Sequence, residues 1–177
     1  MASSVTIVEK LRSEFGDLWF DPQSLVTGGL RDAGQVFVKI APEPLPDVMR
    51  YLRDDPGMRF EQLCDLTCVD YLNFPGATDR YGVIYSLLSL THNHRFWLKC
   101  FVNDPEPIVP SMTPIWPGAE WMEREVFDMF GVVFEGHPDL RRILTWDGFE
   151  AHPLRKDYPL RGKGERTDFS VTRRDSA

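Results

Sequence analysis

The residues of this chain best equipped for chemistry are the carboxylates, histidines and arginines between Glu123 and Arg142, with a second group from His152 to Leu160. The first stretch reads E-R-E-V-F-D-M-F-G-V-V-F-E-G-H-P-D-L-R-R, the second H-P-L-R-K-D-Y-P-L. An enzyme would use Glu123, Glu125 or Asp128 as general acid or base, with His137 as proton relay. No nucleophile motif accompanies them, and Gly28-Gly29 stands outside the strand–turn–helix context of a phosphate or dinucleotide loop. A structural network accounts for these residues better. Arg124 stands four residues from both Glu120 and Asp128, so helical pairing explains part of the charge at a few tenths of a kcal/mol per pair. Glu123 and Glu125 fall on different helix faces. One of them therefore lies against apolar surface and needs donors to offset its desolvation.

Metal chemistry has little support. Cys64 and Cys68, on an extended strand, lie roughly 13 Å apart, too far to grip one ion. With Cys100 the chain has three cysteines, one fewer than a four-thiolate iron–sulfur cluster needs. An odd, sparse set also points to a reducing compartment. His92 and His94 read as exposed residues of a hairpin tip.

The histidines of the two groups each precede proline, which biases them to extended backbone. His137-Pro138 leads to Arg141-Arg142, and His152-Pro153 leads to Arg155-Lys156 and Asp157-Tyr158. Stiffened segments of arginine interleaved with Trp146, Phe149 and Tyr158 suit docking on another chain, where arginine and aromatics are the usual anchors.

These groups need elements to position them. Ile7, Val8, Leu11 and Phe15 predict a helix ending at Gly16. Gln35–Ile40 reads as a buried strand, and Pro46 opens a helix with Val48, Met49 and Leu52 inside. Arg59–Leu72 reads as a strand with even positions Phe60, Cys64, Leu66, Cys68 and Leu72 on one face. Arg80–Leu90 and Arg95–Val102 form a hairpin around Thr91–His94. Five prolines between Asp104 and Pro117 exclude regular structure throughout. They deliver the chain to a helix carrying Met122, Val126, Met129 and Phe130, stopped by Gly131. The expected fold is α+β, a largely antiparallel or mixed sheet with helices packed on it and an extended C-terminal segment. Residues 1–145 would form the domain and 146–177 a docking segment, disordered beyond Leu160 when the protein is alone.

The net charge of −7 lies almost wholly in residues 1–130, which argues against a general nucleic-acid binder. No apolar run approaches the ~18 residues of a membrane span. The N-terminus lacks the pattern of a signal peptide. The expected location is the cytosol, or a membrane surface reached through partners.

The run Glu123-Arg124-Glu125-x-x-Asp128-Met129-Phe130-Gly131, followed by His137-Pro138, Arg141 and Ile143, resembles the signature of the C-type subunit of NADH:quinone oxidoreductase, respiratory complex I (NDH-1). The likeness continues through Gly148-Phe149 and His152–Leu160, and more loosely through Asp65–Tyr71 and Ile115–Trp121. The resemblance implies a peripheral-arm subunit that binds no cofactor itself and is not catalytic alone. FMN and iron–sulfur clusters would sit in partner subunits. The chain would pack beside subunits of the D, B and I types, on the cytoplasmic face of a bacterial cell membrane, with its C-terminal segment running along them. Ending at Ala177, it would be the unfused form. In that setting Glu123, Arg124, Glu125, Asp128 and Gly131 form the signature network. His137, Pro138, Arg141, Arg142, His152, Pro153, Arg155, Lys156, Asp157 and Tyr158 become interface candidates. Two rivals stand beside it: the equivalent subunit of a related membrane-bound hydrogenase or other non-NADH complex, and, more remotely, a free-standing carboxylate enzyme.

Overall fold

The computed structural model of the chain describes residues 4–16, 21–24 and 36–164. The tail beyond residue 164 lies outside them. Helix α1 (Ser4–Phe15) buries Ile7, Val8 and Leu11, and Gly16 takes the left-handed conformation that ends it. Strands β1 (Asp21–Ser24) and β2 (Val36–Ile40) precede α2 (Leu45–Asp54), whose Leu45, Val48, Met49 and Leu52 are buried. Strands β3 (Gln62–Asp70), β4 (Tyr81–Ser89) and β5 (His94–Val102) follow. Then come β6 (Ile108–Pro110), α3 (Ala119–Phe130) and β7 (Val133–Glu135).

Five strands form one sheet in the order β1-β2-β5-β4-β3. All neighbours are antiparallel except β2 and β5, which makes the sheet mixed. The alternation seen in the sequence dictates its inner face. Tyr81, Val83, Tyr85 and Leu87 of β4 and Phe96, Leu98, Cys100 and Val102 of β5 are buried with the inward residues of all three helices. On the other face Ile84, Leu88, Trp97, Lys99 and Phe101 are half-buried and lie outside that cluster.

Three sequence expectations change. The even-position pattern of β3 holds only from Leu66 onward. A bulge between Leu63 and Asp65 shifts the register, so Leu63 points inward and Cys64 is only half-buried. His94 is not an exposed tip residue: it opens β5, packs 4.9 Å from the Phe60 ring and stacks 5.6 Å from His92. Finally, β6 and β7 pair in parallel as a second, two-stranded sheet, with Ile108 opposite Val133. This short sheet brings the proline-rich segment back alongside the chain that leaves α3.

Candidate functional site

Helix α3 carries the signature residues, and they face different surroundings. Glu123 is fully buried. It accepts hydrogen bonds from Ser111 Oγ at 2.7 Å and the Met112 amide at 2.6 Å. Its donors are neutral groups of the loop after β6, not a cation. Burial, only partly offset by these two donors, pushes its carboxyl up to about 7. Glu125, on the opposite face, is exposed.

Asp128 is also fully buried, yet it behaves in the reverse way. One oxygen accepts the amides of Ile143, Leu144 and Thr145 at 3.0, 2.7 and 2.8 Å. The other accepts Arg142 Nη1 at 2.7 Å and the Thr145 hydroxyl. Burial works to raise this carboxyl, but the hydroxyl and amide of Thr145 and the Arg142 guanidinium outweigh it and hold it well below the usual range. The carboxylate thus organises the 142–145 turn. Arg124 completes the turn from the other side, donating to the carbonyls of Arg141 at 3.1 Å and Arg142 at 3.3 Å, with its guanidinium 5.0 Å from the Trp121 ring. The expected helical pairing of Arg124 with Glu120 and Asp128 gives way to these longer-range bonds.

The last carbonyls of a helix need partners from outside it. Here the segment 146–160, termed the strap, supplies them. His152 Nδ1 donates to the Asp128 carbonyl at 2.9 Å, the Leu154 amide to Met129 at 3.1 Å, and Arg155 Nε to Phe130 at 2.6 Å. Cations at a helix C-terminus also complement its dipole. Burial, with Arg155 and Arg142 nearby, lowers the pKa of His152. Gly131 makes this closure possible in two ways. Its φ is +76°, and an added Cβ would lie 2.5 Å from both His152 Nε2 and Arg155 Nη2.

Farther along, the strap meets the ends of β3 and β4. The buried Asp70 accepts the Lys156 amide at 2.8 Å, the Leu72 amide at 2.9 Å and two guanidinium nitrogens of Arg80. Arg80 also pairs with Asp157 at 2.8 Å and Asp104 at 2.6 Å. Phe149 is buried between Trp146 and Tyr158, with ring centroids 4.8 and 6.0 Å away. Among the residues expected to reach other chains, Arg142, His152, Arg155, Lys156, Asp157 and Tyr158 therefore all have partners in this one. The strap is a run of turns against the domain. His137 sits at the other end of α3, its Nε2 donating to the Glu120 carbonyl at 3.0 Å and its Nδ1 accepting from Asp139. Arg141 is 71% exposed and pairs with Asp139 at 2.9 Å.

No group among the described residues gathers three metal-ligating side chains. Cys68 and Cys100 flank Val83 across the sheet, and burial pushes both thiols up to about 12. Glu123 and Asp128 are buried and bonded to different segments, while Glu125 is exposed on another face of α3. Sequence reasoning passed over Asp70, Arg80, Asp104, Ser111 and Thr145. The signal available for Asp70 was its place in the Asp65–Tyr71 segment.

Residues 38–164 match the family model described as the 30 kDa subunit of respiratory-chain NADH dehydrogenase. The chain belongs to this family. The C-type NADH-quinone oxidoreductase subunit of Roseiflexus sp. (strain RS-1) is 45% identical over 157 residues, covering 89% of this chain and 84% of that protein. A trypsin-resistant fragment of Nqo5 superposes with a TM-score of 0.63 at 32% identity, over 76% of this chain and 96% of the fragment. A chain of the archaeal membrane-bound sulfane sulfur reductase superposes with a TM-score of 0.69 over 96% of this chain and 95% of that one. At 21% identity it shows the shared fold alone.

Proposed function

We propose that this chain is the C-type subunit of a proton-translocating NADH:quinone oxidoreductase, a structural member of its peripheral arm. The observation that carries this reading is the use of the family signature. Asp128, Arg124, Arg142, His152 and Arg155 all serve the α3–strap junction through hydrogen bonds within this chain, although His152 and Arg155 also line a cavity of about 280 Å³ on the strap. On this reading the isolated chain turns nothing over and binds no redox cofactor. FMN and iron–sulfur clusters belong to neighbours, which are subunits of the D, B and I types. The complex stands on the cytoplasmic face of the cell membrane. No helix among the described residues is long and apolar enough to cross a membrane, so attachment runs through those neighbours.

The interface candidates shift accordingly. With its polar groups fixed to its own domain, the strap and the turn before it present Leu144 (63% exposed) and Leu154 (51%) outward, and α3 presents Trp121 (59%). These side chains, with Arg141, are the contacts proposed for neighbours. The test is purification of the native complex through a tag on this chain. The expected result is recovery of flavin- and cluster-bearing subunits with NADH:quinone activity, while the chain alone is inactive. Turnover by the isolated chain would overturn the structural role, and partners lacking an NADH site would favour the non-NADH rival.

A further inference from the structure

The donors around Glu123 form an arrangement that the α3–strap junction does not use. Ser111 Oγ donates to Glu123 Oε2 at 2.7 Å, lies 2.8 Å from Thr113 Oγ1 and accepts the Thr113 amide at 3.2 Å. The Met112 amide, at 2.6 Å, fixes the other carboxyl oxygen. With one lone pair taken by the Thr113 amide, Ser111 Oγ has one proton to give and one lone pair left to receive. When Glu123 is ionised, Thr113 Oγ1 donates to Ser111 and Ser111 donates to the carboxylate. When Glu123 is protonated, the carboxyl donates to Ser111 and Ser111 donates to Thr113. One set of heavy-atom positions thus satisfies both forms. Asp128 differs. Three amides and a guanidinium hold it, and none of these can turn round to accept.

The pair of hydroxyls also has a direction. Glu123 is fully buried, Ser111 is buried, Thr113 is half-buried and Pro114 beside it is exposed, so the path runs from core to surface. On the core side lies Tyr85 of β4, fully buried, whose hydroxyl makes no hydrogen bond. Cys100 of β5, Glu123 and Cys68 of β3 act on it electrostatically. Burial raises the pKa of this phenol and pushes both thiols up to about 12. All three groups therefore stay protonated at neutral pH and offer no base to a proton leaving Glu123. The charged groups of the surrounding elements are committed elsewhere. Arg53 of α2 reaches the Ile115 carbonyl at 3.2 Å but pairs with Asp54 at 2.6 Å. Asp70 of β3 is held by Arg80, Arg124 of α3 bonds the carbonyls of Arg141 and Arg142, and Glu135 of β7 is exposed. Between burial and two neutral donors the Glu123 carboxyl stands at about 7, where both forms are populated.

We propose that Glu123, Ser111 and Thr113 form a proton-exchange site, in which the core carboxyl loads and releases one proton through the two hydroxyls. On release the Glu123 O–H bond breaks as Ser111 Oγ gains that proton. Ser111 passes its own proton to Thr113 Oγ1, and Thr113 passes its own to a water molecule at the surface. One proton leaves, and the carboxylate remains with Ser111 as its donor. Uptake is the reverse. The site rests on this chain alone and not on the subunit reading. Its test is pH-jump infrared spectroscopy of the full chain, following the carboxylic-acid carbonyl band that Glu123→Gln abolishes. The band should fade as pH rises, with a midpoint near neutrality. Thr113→Val should slow its relaxation at least several-fold, with thermal unfolding unchanged and the midpoint still above the ordinary carboxylate range. Thr113→Ser keeps the hydroxyl and should relax as the parent does. If Thr113→Val does not fold, Thr113→Ala breaks the same relay. A Glu123 band that does not titrate near neutrality would overturn the site. So would a hydroxyl-free variant that relaxes as fast as the parent, or Thr113→Ser slowed as much as Thr113→Val.

Discussion

Asp128 and Glu123 sit five residues apart on one helix, both buried, and differ in their donors. Asp128 has a guanidinium, a hydroxyl and three amides, so its charge is satisfied, and removing its cation leaves a buried anion short of a partner. Arg142→Ala should therefore destabilise the isolated chain by about 2–4 kcal/mol in urea unfolding. Arg141→Ala, at an exposed pair, should change it by less than about 0.5 kcal/mol. An equal effect of the two would refute the network. Glu123 has only neutral donors and a folded-state pKa of about 7, raised from 4.5. Its protonated form is the one the fold favours, so its contribution is fully present below the unfolded value and is lost as pH rises through the folded one. Glu123→Gln should leave stability near pH 4 little changed and raise it above pH 7, by up to about 3 kcal/mol. Thermal unfolding across that range decides the matter, and a gap that narrows as pH rises would contradict it. The sequence required that one of Glu123 and Glu125 be buried. It could not say which, because Ser111 and Met112 reach Glu123 only through the pairing of β6 with β7.

At the scale of elements, what is periodic was legible and what is short was not. The apolar spacing of α1 and α3, the alternation of β4 and β5 and the glycine stop at Gly131 all follow from residue order. Strands β1, β6 and β7 span four, three and three residues, and two of them contain proline, so no periodicity can announce them. The bulge at Cys64 likewise depends on the partner strand. The strap shows the same limit in its energetics: its histidine and arginine types were visible, but the carbonyls they cap become available only once α3 ends in space beside them. That junction passes through Gly131. Gly131→Ala would hold alanine at a positive φ and push against His152 and Arg155, at a cost on the order of 2 kcal/mol. Hydrogen exchange should localise the damage, with the Leu154 amide losing protection before the amides of β4. Uniform loss, or none, would mean that α3 does not depend on this closure.

For the whole molecule, Asp70 and Arg80 tie the strap to the far end of the sheet, across 86 residues of sequence from Asp70 to Lys156. A docking tail and an integral strap make opposite predictions for a chain that ends at residue 145. As a tail, 146–177 can be removed without consequence for the isolated domain. As a strap, its loss uncaps the carbonyls of Asp128, Met129 and Phe130, removes the Phe149 ring from Arg142, and leaves Asp70 without the Lys156 amide. Losing several hydrogen bonds of this kind should cost about 3–5 kcal/mol, which for a chain of this size is a fall in Tm of roughly 10 °C. The deficit should shrink toward acid. Burial works to raise the Asp70 carboxyl, but the Lys156 and Leu72 amides and Arg80 hold it below the usual range. The stability it supplies is thus present above its unfolded pKa and lost as pH falls through the folded value. A synthetic peptide of residues 146–164, added in excess, should restore part of the Tm by mass action. A truncated chain that melts with the full one at neutral pH would return the segment to the role of a tail and assign its histidines and arginines to other subunits.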